Sequence, residues 1–199
     1  MIYLDPPYGH GSFGDIDIDW VNQLVSVAVS RSLGIVYLHC DPELLFQIEH
    51  PVKPRGMVAW ANGWVSGFKS KSTLFWPRQY QLIVGYAVED WRWRRVEKPR
   101  KIAALRDGAT EKVVVSDWWD DITPVDQASF SREKVGWKTQ KPIALLERLI
   151  AGSTDPGDLV LDPTCGSGTA LLAARNLGRR FTGCDVDPAA VALACGRLA

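Results

Sequence analysis

The chain has 199 residues, 46% of them hydrophobic and 23% charged, and its 23 basic and 23 acidic side chains leave a formal net charge of zero. These proportions exclude a disordered tail and give no global basic field, so any surface that binds nucleic acid must be local. The length suffices for one α/β domain with a sizeable core. Cys40, Cys165, Cys184 and Cys195 form no C-x-x-C pair and have no zinc-ligand spacing, and His10, His39 and His50 add no cluster. No metal site is expected, and the thiols read as reduced. Without a leader-like start or a run of about 18 apolar residues, the expectation is a soluble cytoplasmic protein with no membrane partner.

Met1 to Leu4 are apolar and suit a short buried parallel strand, which Pro6 and Pro7 then end because neither ring carries an N–H. At that strand end Asp5 brings a carboxylate, Asp5 and Pro6 bring outward carbonyls, and Tyr8 brings a π face. A target amine donating to Asp5 and to a carbonyl would have its lone pair drawn out of conjugation and turned toward an electrophile. That is methyl-acceptor chemistry, although the same peptide also reads as a plain strand-ending turn.

His10 to Asp19 reads as a loop beside this site. Apolar spacing predicts a helix over Trp20 to Arg31, with Asp19 as N-cap and Gly34 beyond its end. Ile35 to His39 is a second buried strand, Asp41-Pro42-Glu43 starts a short helix, and Met57 to Trp60 is a short strand before a loop at Ala61-Asn62-Gly63. Tyr80 to Ala87 is a clearer strand. The stretch before it, with Gly67, Lys69, Lys71 and Pro77, has no helical period, so an antiparallel pair at one edge of the sheet is expected.

From Glu89 to Lys134 the composition shifts, and Trp91 and Trp93 alternate with Arg92, Arg94 and Arg95 ahead of Lys98, Arg100 and Lys101. Cations interleaved with indoles fit phosphate pairing and base stacking, so these six basic residues are candidate DNA contacts. The competing reading is a charged hairpin with its tryptophans tucked onto the main domain. Beyond it, Thr139-Gln140-Lys141-Pro142 opens a helix whose apolar face is Leu145, Leu146, Leu149 and Ile150. Asp158 to Asp162 is a buried strand, Asp162-Pro163-Thr164-Cys165-Gly166-Ser167-Gly168-Thr169 a turn into a helix, Arg180 to Asp185 another strand, and Pro188 starts the last helix. The glycines let a ligand approach the main chain, and Asp185 could accept from two ribose hydroxyls. There is no G-x-G-x-x-G and no P-loop lysine, so an adenosine with a short zwitterionic tail, S-adenosylmethionine, fits best.

Asp5-Pro6-Pro7-Tyr8, Thr139-Gln140-Lys141-Pro142 and the turn from Asp162 to Thr169, in that order, resemble the amino-group (N6-adenine or N4-cytosine) DNA methyltransferases of the permuted class whose catalytic half precedes the cofactor half. The resemblance covers nearly the whole chain. It implies an α/β fold with a mainly parallel, doubly wound, Rossmann-like sheet, divided into a catalytic half (1–88), a target-recognition insertion (89–135) and a cofactor-binding half (136–199). It implies that Asp162, Thr164, Gly166 and Gly168 line the methionine part of S-adenosylmethionine, that Thr139 and Lys141 hold its carboxylate, and that Asp185 binds the ribose. Asp5, Pro6, Pro7 and Tyr8 would hold a base flipped from double-stranded DNA. Adenine N6 is the expected acceptor, because members with Asp at the first motif position mostly modify adenine and those with Ser mostly cytosine. Two departures stand out: one edge strand is missing, and Thr164 replaces a common phenylalanine. An inactive remnant that binds only DNA or cofactor, and an amine or amide methylase of RNA or protein, are the alternatives. A restriction endonuclease encoded nearby and a homodimer accord with the resemblance, and the sequence decides neither.

Overall fold

The computed structural model describes residues 1–7, 17–66, 78–88, 90–101, 110–126 and 132–199. Its elements in chain order are β1 (Ile2–Leu4), α1 (Ile18–Arg31), β2 (Ile35–Cys40), α2 (Pro42–Leu45), β3 (Gly56–Ser66), β4 (Arg78–Ala87), β5 (Glu97–Lys101), β6 (Thr110–Val114), β7 (Trp118–Trp119), α3 (Ile143–Ser153), β8 (Leu159–Asp162), α4 (Thr169–Asn176), β9 (Arg180–Gly183) and α5 (Pro188–Leu198). Seven strands form one sheet in the order β7-β3-β4-β2-β1-β8-β9, and β5 and β6 pair separately as an antiparallel ribbon. β1, β2, β8 and β9 run parallel, and β4 runs antiparallel to both β2 and β3.

β1 and β2 are buried along their whole length, and their successive side chains enter two different cores. Tyr3, Ile35 and Tyr37 face a layer built on Leu145, Leu146, Leu149 and Ile150 of α3 and the alanines of α4. Ile2, Leu4, Val36 and Leu38 face Val21, Val25 and Ala28 of α1 and Leu44 of α2. Continuous apolar runs are what a sheet covered on both faces requires, and this is the doubly wound arrangement expected from the sequence.

Local chemistry fixes most of the ends. The carboxylate of Asp17, not Asp19, caps α1 by accepting from the Trp20 N–H at 3.0 Å, and Asp19 sits within the first turn, where its charge suits the helix dipole. Asp41 caps α2 through the Leu44 N–H, and Asp187 caps α5 through the Ala189 N–H. The expected loop at Ala61-Asn62-Gly63 is instead part of β3: pairing with β4 continues from Ala61 opposite Tyr80, through a register irregularity, to Ser66 opposite Arg78. Cross-strand pairing overrides the turn signal of Asn-Gly there. Residues 67–77, and with them Gly67, Lys69, Lys71 and Pro77, lie outside the described residues, as do Tyr8 to Ile16. β9 pairs with β8 alone, while β7 adds a parallel edge to β3 through Ala59 and Trp60. Among the described residues no helix is long and apolar enough to cross a membrane.

The two glycines of the turn before α4 differ in purpose. Gly168 is left-handed, with φ of 75°, and a Cβ added there would lie 2.7 Å from the Cβ of Ala194 in α5. Its hydrogen side chain is what lets α4 and α5 close on each other. Gly168→Ala should therefore destabilise the protein by roughly 1–3 kcal/mol through backbone strain and overpacking. Thermal unfolding checks this, since a chain of this size should lose several degrees; an unchanged midpoint would show that the contact is not tight.

Candidate active site

Because β1, β8 and β9 are parallel neighbours, the residues that follow them emerge at one end of the sheet. Asp5, Pro6 and Pro7 follow β1, Asp162 to Gly166 end and follow β8, and Asp185 to Asp187 follow β9. They line a cleft of about 400 Å³ with Tyr3, Trp20, Trp137, Thr139 and Lys141. Six of the seven residues expected to bind cofactor are in this lining, as are Asp5, Pro6 and Pro7. Gly168 is not, because it faces α5, and Tyr8 lies outside the described residues.

Asp162 is fully buried at the floor, and burial pushes its carboxyl up to about 7, with the Asp5 and Asp185 carboxylates adding to the effect and donation from Thr164 opposing it. Its Oδ1 accepts from the Thr164 N–H at 3.0 Å and from the Thr164 hydroxyl at 3.3 Å. The Asp5 N–H donates to that same hydroxyl at 3.0 Å. Gly166 has φ of 48°, and its N–H donates to Asp185 Oδ2 at 2.8 Å, while Asp185 Oδ1 accepts from the Asp187 N–H at 2.9 Å. Above Gly166 stands Trp137, whose Nε1 would lie 3.1 Å from an added Cβ.

Lys141 Nζ donates to Asp5 Oδ2 at 2.6 Å, with both side chains largely buried. The structure thus brings the ammonium expected at the cofactor carboxylate onto the acid expected at the target amine. Beneath them the Tyr3 hydroxyl donates to His39 Nδ1 at 2.7 Å, and His39 Nε2 donates to Gln81 Oε1 at 2.9 Å. Burial, reinforced by Lys141, lowers His39 to about 3, so the ring is neutral and its two nitrogens have fixed roles. Gln140 and Glu133 hold the approach to α3: the Gln140 amide donates to the Glu133 carbonyl at 2.6 Å, and the Glu133 carboxylate accepts from the Ile143 N–H at 2.9 Å.

Sequence reasoning missed Tyr3, His39, Trp20, Trp137 and Glu133. A lone histidine inside an apolar strand, two residues beyond Tyr37 and so on its face, was the one available signal.

The basic segment lies elsewhere. Trp91 packs near Gly34 and Trp93 near Gly85, at the ends of β2 and β4 opposite the cleft. Trp93 lies against Tyr37, with ring centroids 5.6 Å apart. Arg94 forms an ion pair with Asp155, Arg95 with Glu97 at 3.1 Å, and Lys98 with Asp121 at 3.0 Å. Arg92 donates to its neighbour's carbonyl at 3.0 Å, and Arg100 and Lys101 belong to β5. Among the described side chains, Arg92, Arg94, Arg95 and Lys98 do not line the cleft.

Among the described residues, four acidic side chains (Asp5, Asp162, Asp185 and Asp187) and one ammonium, Lys141, line the cleft. That excess suits a ligand carrying positive charge, as S-adenosylmethionine does on its sulphonium and ammonium, while the space a Cβ would take at Gly166 is held by the Trp137 indole.

The family model described as DNA methylase matches residues 69–195. A Type II methyltransferase of Streptococcus pneumoniae, M2.DpnII, is 52% identical over 234 aligned positions, which take in 100% of this chain and 81% of that protein. The chain belongs to the DNA methylase family. Its members here are the amino-group DNA methyltransferases, which take their methyl group from S-adenosylmethionine. The methylase fold is shared with M1.HpyAVI, solved as its complex with S-adenosylmethionine (TM-score 0.67, 22% identity, 99% of this chain and 87% of that one). It is shared as well with the cytosine-N4-specific PvuII DNA methyltransferase (TM-score 0.69, 15% identity, 100% and 79%).

Burial of Asp162 has a measurable cost in this methylase. Its folded-state value lies above that of the unfolded chain, so the native protein holds a proton that the unfolded chain releases. Stability is then lost as pH rises through the interval up to about 7. Asp162→Asn should stabilise the cofactor-free protein, by at most about 4 kcal/mol, and more at pH 8 than at pH 5. Denaturant titration at the two pH values checks it, and a gain equal at both would refute the assignment.

Proposed function

We propose that this methylase transfers the methyl group of S-adenosylmethionine to the N6 amine of an adenine flipped out of double-stranded DNA. The observation that carries the reading is the meeting, in one cleft, of Asp5-Pro6-Pro7 with the Gly166 turn and Asp185. When bound, S-adenosylmethionine supplies a methyl group on a cationic sulphur.

The chain's own residues do the rest. Asp185, anchored through Gly166 and Asp187, retains lone pairs for the ribose hydroxyls. Asp162 supplies negative charge at the floor beside the cationic end. Asp5 accepts one amine N–H and the Pro6 carbonyl the other, which turns the nitrogen lone pair toward the methyl carbon. Bound there, the cofactor would give its methyl carbon to that nitrogen and keep the C–S bonding pair on sulphur, while the surplus amine proton would pass to the Asp5 carboxylate that accepts it. Alignment alone suffices, with no covalent enzyme intermediate.

Adenine is favoured over cytosine because a carboxylate leads the motif and is the stronger acceptor for an amine. Similarity to a Type II methyltransferase supports a place beside a restriction endonuclease encoded nearby, in the bacterial cytoplasm.

Asp5→Ala should reduce methyl transfer by at least about a hundredfold, since it removes an interaction made with the acceptor in the transition state. Affinity for S-adenosylmethionine should stay near wild type. Tritium transfer to mixed-sequence DNA and calorimetry measure the two. Nucleoside digestion of the product should yield N6-methyladenine; N4-methylcytosine alone would overturn the base while leaving the reaction class in place.

A further inference from the structure

Thr164 touches both halves of the reaction. Its hydroxyl accepts from the Asp5 N–H at 3.0 Å and donates to Asp162 Oδ1 at 3.3 Å, across a sequence separation of 159 residues on the Asp5 side. Its own N–H donates to the same Asp162 oxygen at 3.0 Å, which fixes the turn on which the hydroxyl sits. A hydroxyl has one proton and two lone pairs, so these two bonds give it a direction: proton toward Asp162, lone pair toward Asp5.

We infer that Thr164 is a positioning residue that sets the Asp5 backbone, and with it the target amine, against the cofactor floor at Asp162. The inference rests on the methyl-transfer reading of the cleft. β1 and β8 are joined by a ladder that ends below this point, at Ile2 opposite Leu161. Beyond it, the Thr164 hydroxyl continues the connection where backbone pairing has stopped. Asp5 has no freedom to drift from Asp162 without breaking a bond in a largely buried place, where an unmade bond is costly.

The same hydroxyl influences the proton on Asp162. The groups facing that carboxyl are Asp5 and Tyr3 from β1 and its end, Lys141 through Asp5, Cys165 from the turn, and Asp185 after β9. Against the four acidic and weakly acidic neighbours Asp5, Tyr3, Cys165 and Asp185, donation by Thr164 favours the charged form. Cationic cofactor entering the cleft must then release a proton from Asp162 near neutral pH. Losing the hydroxyl raises the proton affinity of Asp162 and moves that release to higher pH.

The test compares Thr164→Val and Thr164→Ser in the full chain. Calorimetry with S-adenosylmethionine, in two buffers of different ionisation enthalpy over pH 6–8.5, reads the proton released on binding. Single-turnover tritium transfer to DNA reads the chemistry. Thr164→Val should slow transfer by about tenfold to a hundredfold, the scale of a small misalignment, shift proton release to higher pH, and bind cofactor near wild type at the alkaline end. Thr164→Ser, which keeps the hydroxyl, should restore both. Wild-type behaviour of Thr164→Val in both readouts, or equal impairment of the two variants, would overturn the inference. A wild-type protein that binds cofactor and releases the proton as expected, yet never labels DNA, would instead count against the proposed function.

Discussion

The pairing of β1 with β8 is the constraint on which the rest depends. It joins residues from opposite ends of the chain: the N-terminal amine donates to the Leu159 carbonyl at 3.0 Å, and the Leu161 N–H donates to the Met1 carbonyl at 3.0 Å. Loop closure over such a separation is costly in chain entropy, and the ladder between β1, buried along its length, and β8, with Val160 and Asp162 buried, offsets it. Once made, it determines the chemistry. Parallel neighbours present their C-terminal ends side by side, so the acceptor motif and the cofactor turn must meet, whatever lies between them in sequence. The permuted order of the halves is then immaterial to the site, because the sheet and not the chain sets adjacency.

Charge explains why the cleft is both active and costly. Among the described residues, four acidic side chains share it with one lysine, and that lysine is bonded to Asp5. In a low-dielectric setting such crowding raises the energy of the empty protein, and burial holds Asp162 near neutrality. The neutral Tyr3–His39–Gln81 chain beneath adds polar anchoring without adding charge. A cationic ligand would offset the repulsion among these acids, so binding energy and stability are two faces of one arrangement.

What the sequence discloses follows from how local the signal is. β1, β2, β4, α1 and α3 show their apolar period within a dozen residues, and the caps Asp41 and Asp187 sit beside their helices, so these elements are legible. The second half of β3 and the whole of β7 are not, since only pairing with strands remote in sequence makes them extended. In the site, Asp5, Asp162 and Asp185 are legible because each ends a strand or follows one within two residues. The bonds among them are not: Lys141 on Asp5 and Thr164 between Asp5 and Asp162 are tertiary. The surroundings of the Trp-Arg segment are illegible for the same reason: its indoles cover the far end of β2 and β4, and Arg94 and Lys98 meet Asp155 and Asp121, acids that no local pattern connects to them.

Zero net charge and an acidic cleft look ill suited to DNA, yet they favour the event the chemistry needs. A phosphate entering the cleft would meet Asp5, Asp185 and Asp187 within a Debye length of about 10 Å, with Lys141 the one ammonium among the described residues of the lining to offset them. A flipped base is neutral, and its exocyclic amine is a donor, so on the proposed reading Asp5, one of the acids that would repel the backbone, is an acceptor suited to the base. Acidity here acts as a filter on what part of the nucleic acid gains entry. Attraction for the backbone has to come from local cations outside the cleft, and the separation of those two duties is what lets a chain with no net charge act on a polyanion.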